Sequence, residues 1–306
     1  MQFIPYAGGK IAADGAYDGV PMDAYHGDLC VVPSVSRSGL WTIENRSPAH
    51  YYAESYLNPD RAEQEQKAHF NLGGAAHYLY LREATGSAGF VERYAVRPAA
   101  FKDWRTDAAK AWRDEQVAAG KAVLVPDDLE VIEGIARQIA CHPIAGHLLT
   151  GHVEKTLVWK DPTGVWLKSR PDVIPTADGV VADLKVMASA KPSDFGRSIR
   201  DHGYHLQAAM TSIAMHKLFG VKVTDFVFVV AEKSPPYPVS VIPLDPDWIY
   251  WGRRQLRRAV NTFARCVETG EWPGYPPEQT AYIPRWAQTE FEREDEIGAL
   301  PKEGAW

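Results

Sequence analysis

The sequence lacks the features that mark several common protein classes. Its three cysteines, Cys30, Cys141 and Cys266, lie far apart and form no CxxC pair, so neither a disulfide framework nor a cysteine zinc site is expected. No GxxxxGK[ST] stretch occurs, which argues against a nucleotide-driven motor. The ten histidines fall in no HExxH pattern, which argues against a zinc peptidase. No apolar run approaches the roughly 20 residues of a membrane-spanning helix. The first ten residues also lack the apolar centre of a signal peptide, so a cytoplasmic chain with no membrane partner is expected. Positive charge is short as well. Lys and Arg number 33 against 39 Asp and Glu, a net charge of −6. That counts against a bulk basic surface for nucleic acid but leaves room for a locally lined channel.

What is present is ordinary in bulk and unusual in one place. A 306-residue chain with 45% hydrophobic and 24% charged residues has the composition of a globular protein. A chain of this length buries about 75% of its extended surface on folding. The unusual place is RPDVIPTADGVVADLKVM, starting at Arg170. Residues 165–174 and 180–186 are β-prone runs separated by Pro175-Thr176-Ala177-Asp178-Gly179, which carries turn chemistry. Read as a hairpin, this stretch sets Asp172 opposite Asp183. Cβ atoms of such a pair are about 4.5–5.5 Å apart, and like charges there are destabilising without compensation. A divalent cation would compensate. With a period of two, Lys185 shares the Asp183 face, while Val180, Ala182, Leu184 and Val186 line the opposite, core face.

Along the rest of the chain, residues 1–24 read as a loosely ordered lead-in. Helices are expected from Ser36 to about residue 45 and again after Ser47-Pro48, where a capping serine precedes a proline. Aromatic residues there, near Arg37 and Arg46, either pack a helical subdomain or stack on and steer nucleic acid. Residues 71–83, NLGGAAHYLYLRE, have helical spacing, with His77 beside the apolar stripe. Residues 90–120 read as a charged helical region, and a further helix starts at Pro126-Asp127-Asp128. Residues 152–159 alternate as a strand carrying Glu154 and turn into the Asp172 strand. Residues 191–219 read as one helix, on which Tyr204, Gln207 and Thr211 share a face. A buried strand at 225–231 follows, giving a parallel crossover unit, and 239–242 reads as an edge strand. A last helix from about residue 247 carries Arg253, Arg254, Arg257 and Arg258, the densest positive cluster in the chain.

Asp172, ten residues, then Asp183-Leu184-Lys185 resembles the PD-(D/E)xK nuclease signature, with Pro171-Asp172 also present. The flanks narrow it. Tyr25-His26, PSVSRSGLWTIENRSPAHYYAE, LGGAAHYLYLRE, GHVEKTLVW and GYHLQAA together resemble exodeoxyribonuclease VIII, the RecE-type nuclease domain of phage and prophage recombination systems. The likeness runs in order from about residue 25 to about 275. It implies an α/β fold with a mixed sheet: a restriction-endonuclease-like αβββαβ core with added N-terminal and C-terminal helices. The pattern of helices and strands agrees with this. The expected organisation is one nuclease domain over residues 25–276, with a helical part at 33–142, a catalytic sheet at 150–245 and a helix at 247–270, then an extended tail at 277–306.

The resemblance also implies roles. Asp172, Asp183 and the Leu184 carbonyl would hold one Mg²⁺, for which Mn²⁺ substitutes; His77 and Asp183 would help hold a second. Lys185 would orient the attacking water, Glu154 would contact water in the site, and Tyr204 and Gln207 would support the centre. Arg197, Arg200, Arg253 and Arg257 are candidate DNA contacts or solvated side chains. Some relatives carry a four-cysteine iron–sulfur cluster, which three cysteines cannot build. The implied activity is 5′ to 3′ digestion of linear double-stranded DNA from its ends, by a ring-like homo-oligomer encoded by a phage or prophage. A RecT-type annealing protein would be the partner. The alternatives are an endonuclease or single-strand exonuclease on the same core, or a DNA-binding or phage-assembly protein without catalysis.

Overall fold

The computed structural model describes residues 1–62, 74–75, 80–81, 88–175 and 179–301, in two units, Met1–Pro273 and Gly274–Trp306. The centre of the first unit is a pair of parallel strands, β10 (Val180–Met187) and β11 (Asp225–Glu232), with β12 (Val239–Pro243) antiparallel at the edge. Their β-branched and aromatic runs suit a sheet covered on both sides. Val181, Phe226, Phe228 and Val230 point into one apolar cluster; Ala182, Leu184, Val229 and Ala231 point into another. Each fully buried Phe or Val contributes roughly 1.5–3 kcal/mol. The face of β10 expected to carry chemistry rather than core, that of Asp183 and Lys185, is packed as well. Both faces are covered, and Asp183 is only 1% exposed.

Helices α8 (Pro192–Asp201) and α9 (Tyr204–Phe219) make the crossover from β10 to β11. A single helix over 191–219 was expected. The break is at Gly203, whose φ is +65° and where a Cβ would lie 2.5 Å from the Trp41 ring. Both the left-handed backbone and the close ring require glycine. Against α9 lies α10 (Pro246–Thr269), which buries Leu256, Val260 and Phe263. Trp41 belongs to α2 (Arg37–Asn45), followed by α3 (Pro48–Glu54), where Ser47 accepts the His50 N–H. The opposite cluster is closed by α6 (Pro126–Cys141) through Ile132, Ile135 and Ile139.

A second sheet has the order β1 (Ile4–Pro5), β2 (Gly15–Asp18), β7 (Thr156–Lys160), β8 (Trp166–Ser169) and β3 (Ser34–Ser36). The first residues are thus not a loose lead-in: β2 pairs with β7, and Ala16, Tyr17 and Val20 are buried. A short helix, α1 (Met22–His26), follows and buries Tyr25. The two long strands expected at 152–159 and 165–174 are each broken. Glu154, at φ +48°, separates β6 (Gly151–Val153) from β7. Pro171, which has no N–H to continue a ladder, separates β8 from β9 (Val173–Pro175). β9 pairs antiparallel with β6, and among the described residues no ladder joins β9 to β10.

Residues 90–120 are not helical throughout. After α4 (Ala88–Arg93), β4 (Tyr94–Val96) pairs in parallel with β5 (Ala122–Leu124), and α5 (Asp107–Ala118) lies between them in sequence. Helix α7 (Ala145–Leu148) leads into β6. In the second unit, residues expected to be extended include the twelve-residue α11 (Arg285–Glu296). The fold class is as expected, a mixed α/β fold with mixed sheets around a restriction-endonuclease-like core. No helix among the described residues is long and apolar enough to cross a membrane.

Gly203→Ala should destabilise the chain by about 2–4 kcal/mol, from left-handed strain and overpacking against Trp41. Urea unfolding measures this; a loss under 1 kcal/mol would contradict the packing described.

Candidate active site

In the middle of β10, Asp183 and Lys185 point to the same side of the strand. Asp183 is almost fully buried, and both of its carboxylate oxygens accept hydrogen bonds. Lys185 Nζ donates to Oδ2 and Gln207 Nε2, from α9, donates to Oδ1. Lys185 lies 4.9 Å from the Tyr204 ring centroid and 5.8 Å from that of Phe228. Burial alone pulls its ammonium pKa down, but Asp183 and Asp172 outweigh that, and the net shift is upward. A buried charge survives only when paired and hydrogen-bonded; here Lys185 and Gln207 satisfy Asp183, while Gln207 Oε1 is buried with no hydrogen-bond partner among the described residues.

Asp172 reaches the same level by a route other than the expected hairpin ladder. It lies in the bend between β8 and β9, and its Oδ2 accepts the Leu184 N–H at 2.9 Å. The carboxylate takes the place of a neighbouring strand on that edge of β10. The Asp172 carbonyl accepts the Glu154 N–H at 3.0 Å, so the strained turn at Glu154 is fastened to the Asp172 bend. The structure brings Asp172, Asp183, Lys185, Tyr204 and Gln207 together; Leu184 joins them through its N–H, where its carbonyl was the expected ligand, and Glu154 through its backbone. His77 lies outside the described residues.

One residue, noted in the sequence only as a basic neighbour of the aromatics in the first helices, lies at the site. Arg37, the first residue of α2, feels Asp183, Tyr204, Tyr25 and Asp172; burial lowers its pKa and those groups oppose the shift. Its Nη1 donates to the His202 carbonyl at 3.1 Å, joining α2 to the loop before α9. The signal was its position inside SVSRSGL, directly after a capping serine. Behind Asp172, the Arg170 guanidinium lies 4.6 Å from the Tyr25 ring centroid. It also donates to Thr156 Oγ1 (2.7 and 3.0 Å) and to the Val20 carbonyl (2.6 Å). Burial pushes the Tyr25 phenol up to about 12. Lys168, 3% exposed, donates to the Gly27 carbonyl at 3.0 Å, and burial brings its pKa down to about 8.

The arginines expected near DNA divide. Arg197 and Arg200 on α8 and Arg253 on α10 are exposed. Arg257 makes two 2.9 Å hydrogen bonds to Asp161, and Arg258 pairs with Glu44. Arg257 is therefore a structural tie.

Among the described residues no group of three or more His, Cys, Asp and Glu is placed to hold a metal ion. The two carboxylates that meet beside Lys185, Asp172 and Asp183, offer hard oxygens of the kind Mg²⁺ and Mn²⁺ take. The cationic Lys185 already neutralises one of them. The set fits an oxygen-preferring divalent cation and does not fit a thiophilic one.

Residues 36–285 match the family described as a PDDEXK-like domain of unknown function, DUF3799. The chain belongs to that family. The match spans Asp172, Asp183 and Lys185 and makes the domain one of PD-(D/E)xK nuclease type. A crystal structure from Eubacterium rectale, described as a "putative exonuclease", superposes with a TM-score of 0.53 at 15% identity, covering 87% of this chain and 93% of that one. At that identity the likeness concerns the fold. No curated protein matches the sequence.

Lys168 supplies a test of the buried layer. Its folded pKa, about 8, is below the unfolded value near 10.4, so the unfolded chain holds more protons between these values and stability rises with pH there. Relative to Lys168→Met, the native chain should gain about 2–3 kcal/mol between pH 7 and pH 10. Denaturant titrations of both at the two pH values check it; parallel curves would place Lys168 in water.

Proposed function

We propose that this PD-(D/E)xK domain is a metal-dependent deoxyribonuclease that digests linear double-stranded DNA from its ends, 5′ to 3′. The observation that carries the hydrolytic reading is the meeting of Asp172, Asp183, Lys185 and Gln207 around one β-strand. Asp172, Asp183 and the Leu184 carbonyl would hold Mg²⁺ or Mn²⁺, with His77 assigned to a second ion on the sequence resemblance. When bound, a divalent cation supplies charge neutralisation and Lewis acidity for phosphodiester hydrolysis.

The protein's own contribution is placement. Lys185 orients the attacking water and meets the growing negative charge of the phosphate. Gln207 holds the Asp183 carboxylate in one orientation, and the Glu154 turn holds Asp172. Arg37 adds a second positive charge beside the carboxylates. A water oxygen bonds to phosphorus, the P–O3′ bond breaks, and the products are a 5′-phosphate and a 3′-hydroxyl. End dependence, polarity, a ring-like homo-oligomer and a RecT-type annealing partner in a phage or prophage recombination system rest on the sequence resemblance. The structure of a protein described as an exonuclease supports the same direction.

Digestion of 5′-labelled linear duplex beside a closed circular duplex tests this reading. Mg²⁺-dependent release of labelled mononucleotide, with the circle intact and no cleavage in EDTA, is expected. A nicked circle would make the chain an endonuclease, and DNA binding without cleavage would remove the catalytic reading. Asp172→Asn, Asp183→Asn and Lys185→Met should each lower the rate by at least 10²–10³-fold while far-ultraviolet dichroism stays native. Full activity in folded Asp183→Asn would overturn the assignment.

A further inference from the structure

Helix α10 and the segment entering β11 form a groove of about 970 Å³ that the catalytic residues do not line. Its apolar lining includes Val223, Leu244 and Ile249, and its cations are Lys222, Arg253, Arg254 and Arg257. Arg257 is committed to Asp161. Lys222, Arg253 and Arg254 are exposed, and no described carboxylate lies within ion-pair distance of them. Two acids also line the groove, Asp225 and Asp245, the latter capping α10 by accepting the Asp247 N–H at 2.8 Å, and the cations outnumber them. The groove is a local positive feature on a chain of net charge −6.

Two aromatic rings stand beside these cations. Tyr250 and Trp251 are 53% and 54% exposed, unusual for residues of this size, and their ring centroids are 5.0 Å apart. The Arg254 guanidinium lies 5.9 and 5.4 Å from the two centroids and donates to the Tyr250 hydroxyl at 3.3 Å. Tyr250 also lines the groove.

We infer that this groove binds a single strand of DNA: its bases stack on Tyr250 and Trp251, and its phosphates meet Arg253, Arg254 and Lys222. Exposed rings interleaved with unpaired cations are the elements of a sequence-tolerant single-strand site. A duplex, with its bases already stacked, would offer the rings nothing. The choice of DNA as the polyanion rests on the nuclease reading; the groove itself does not. A strand held here, away from the catalytic carboxylates, would stay attached without being cut.

The test is fluorescence anisotropy of a 5′-fluorescein oligothymidylate 20-mer with the full chain in EDTA, across a salt series. Arg253→Ala/Arg254→Ala should bind at least tenfold more weakly, and its log–log salt slope should be shallower by about 1.4, about 0.7 per lost phosphate contact. Tyr250→Ala should weaken binding about tenfold through lost stacking. Arg105→Ala/Arg113→Ala, an equal change in net charge elsewhere, should stay within twofold of native. Melting temperatures establish that each variant is folded.

If the Arg253/Arg254 pair binds like the Arg105/Arg113 control, the inference is overturned and the groove belongs to another kind of partner, such as an acidic peptide. The two readings fail separately. A native chain that cuts DNA while the Arg253/Arg254 variant binds the oligonucleotide normally sinks only the groove. A chain that cuts nothing with any divalent metal, but loses oligonucleotide binding with Arg253 and Arg254, sinks only the nuclease reading.

Discussion

Burying the Asp183 carboxylate is the constraint on which the structure around β10 depends. Losing one partner of a buried ion pair costs about 3–5 kcal/mol, so the fold must deliver compensation to this spot. It does so from three directions: Lys185 from the same strand, Gln207 from α9 and the charge of Arg37 from α2. Each demands accurate placement of its element. The break at Gly203 lets α9 begin at Tyr204, one turn before Gln207, and Trp41 in turn occupies the space that Gly203 leaves. The site and the packing of α2 against α9 are one problem solved once.

Asp172 shows a second way of using an unmet hydrogen-bonding group. The free edge of β10 presents the Leu184 N–H, which another strand would ordinarily take. A carboxylate accepts it instead, and this brings two negative groups to one level without a hairpin ladder. Arg170 holds the bend from behind through Tyr25, Thr156 and Val20. The N-terminal residues, through Val20 and Tyr25, are therefore part of the support of the Asp172 bend.

The meeting of Asp172, Asp183 and Lys185 was legible because they are close in sequence and have a spacing that folding alone does not require. The apolar run at 225–231 and the parallel crossover were legible for a similar reason, since a continuous hydrophobic stretch after a helix has few other fates. Interruptions were not. Gly203, Glu154 and Pro171 each break an element whose periodicity continues across the break; at Gly203 only the Trp41 ring that fills the space reveals why. The place of Arg37 beside the carboxylates was not legible, because Asp172, Asp183 and Tyr204 lie more than a hundred residues away in sequence. Likewise Arg253 and Arg257 look alike in sequence, and only Asp161, beside one of them, distinguishes a tie from a free cation.

The account stands or falls on whether this carboxylate pair is a cation site. The most direct measurement is titration of Mn²⁺ into the full chain, following the free ion by electron paramagnetic resonance, for the native protein and for Asp183→Asn. The account predicts saturable binding by the native chain and at least tenfold weaker binding by the folded variant. Equal binding by the two would contradict it.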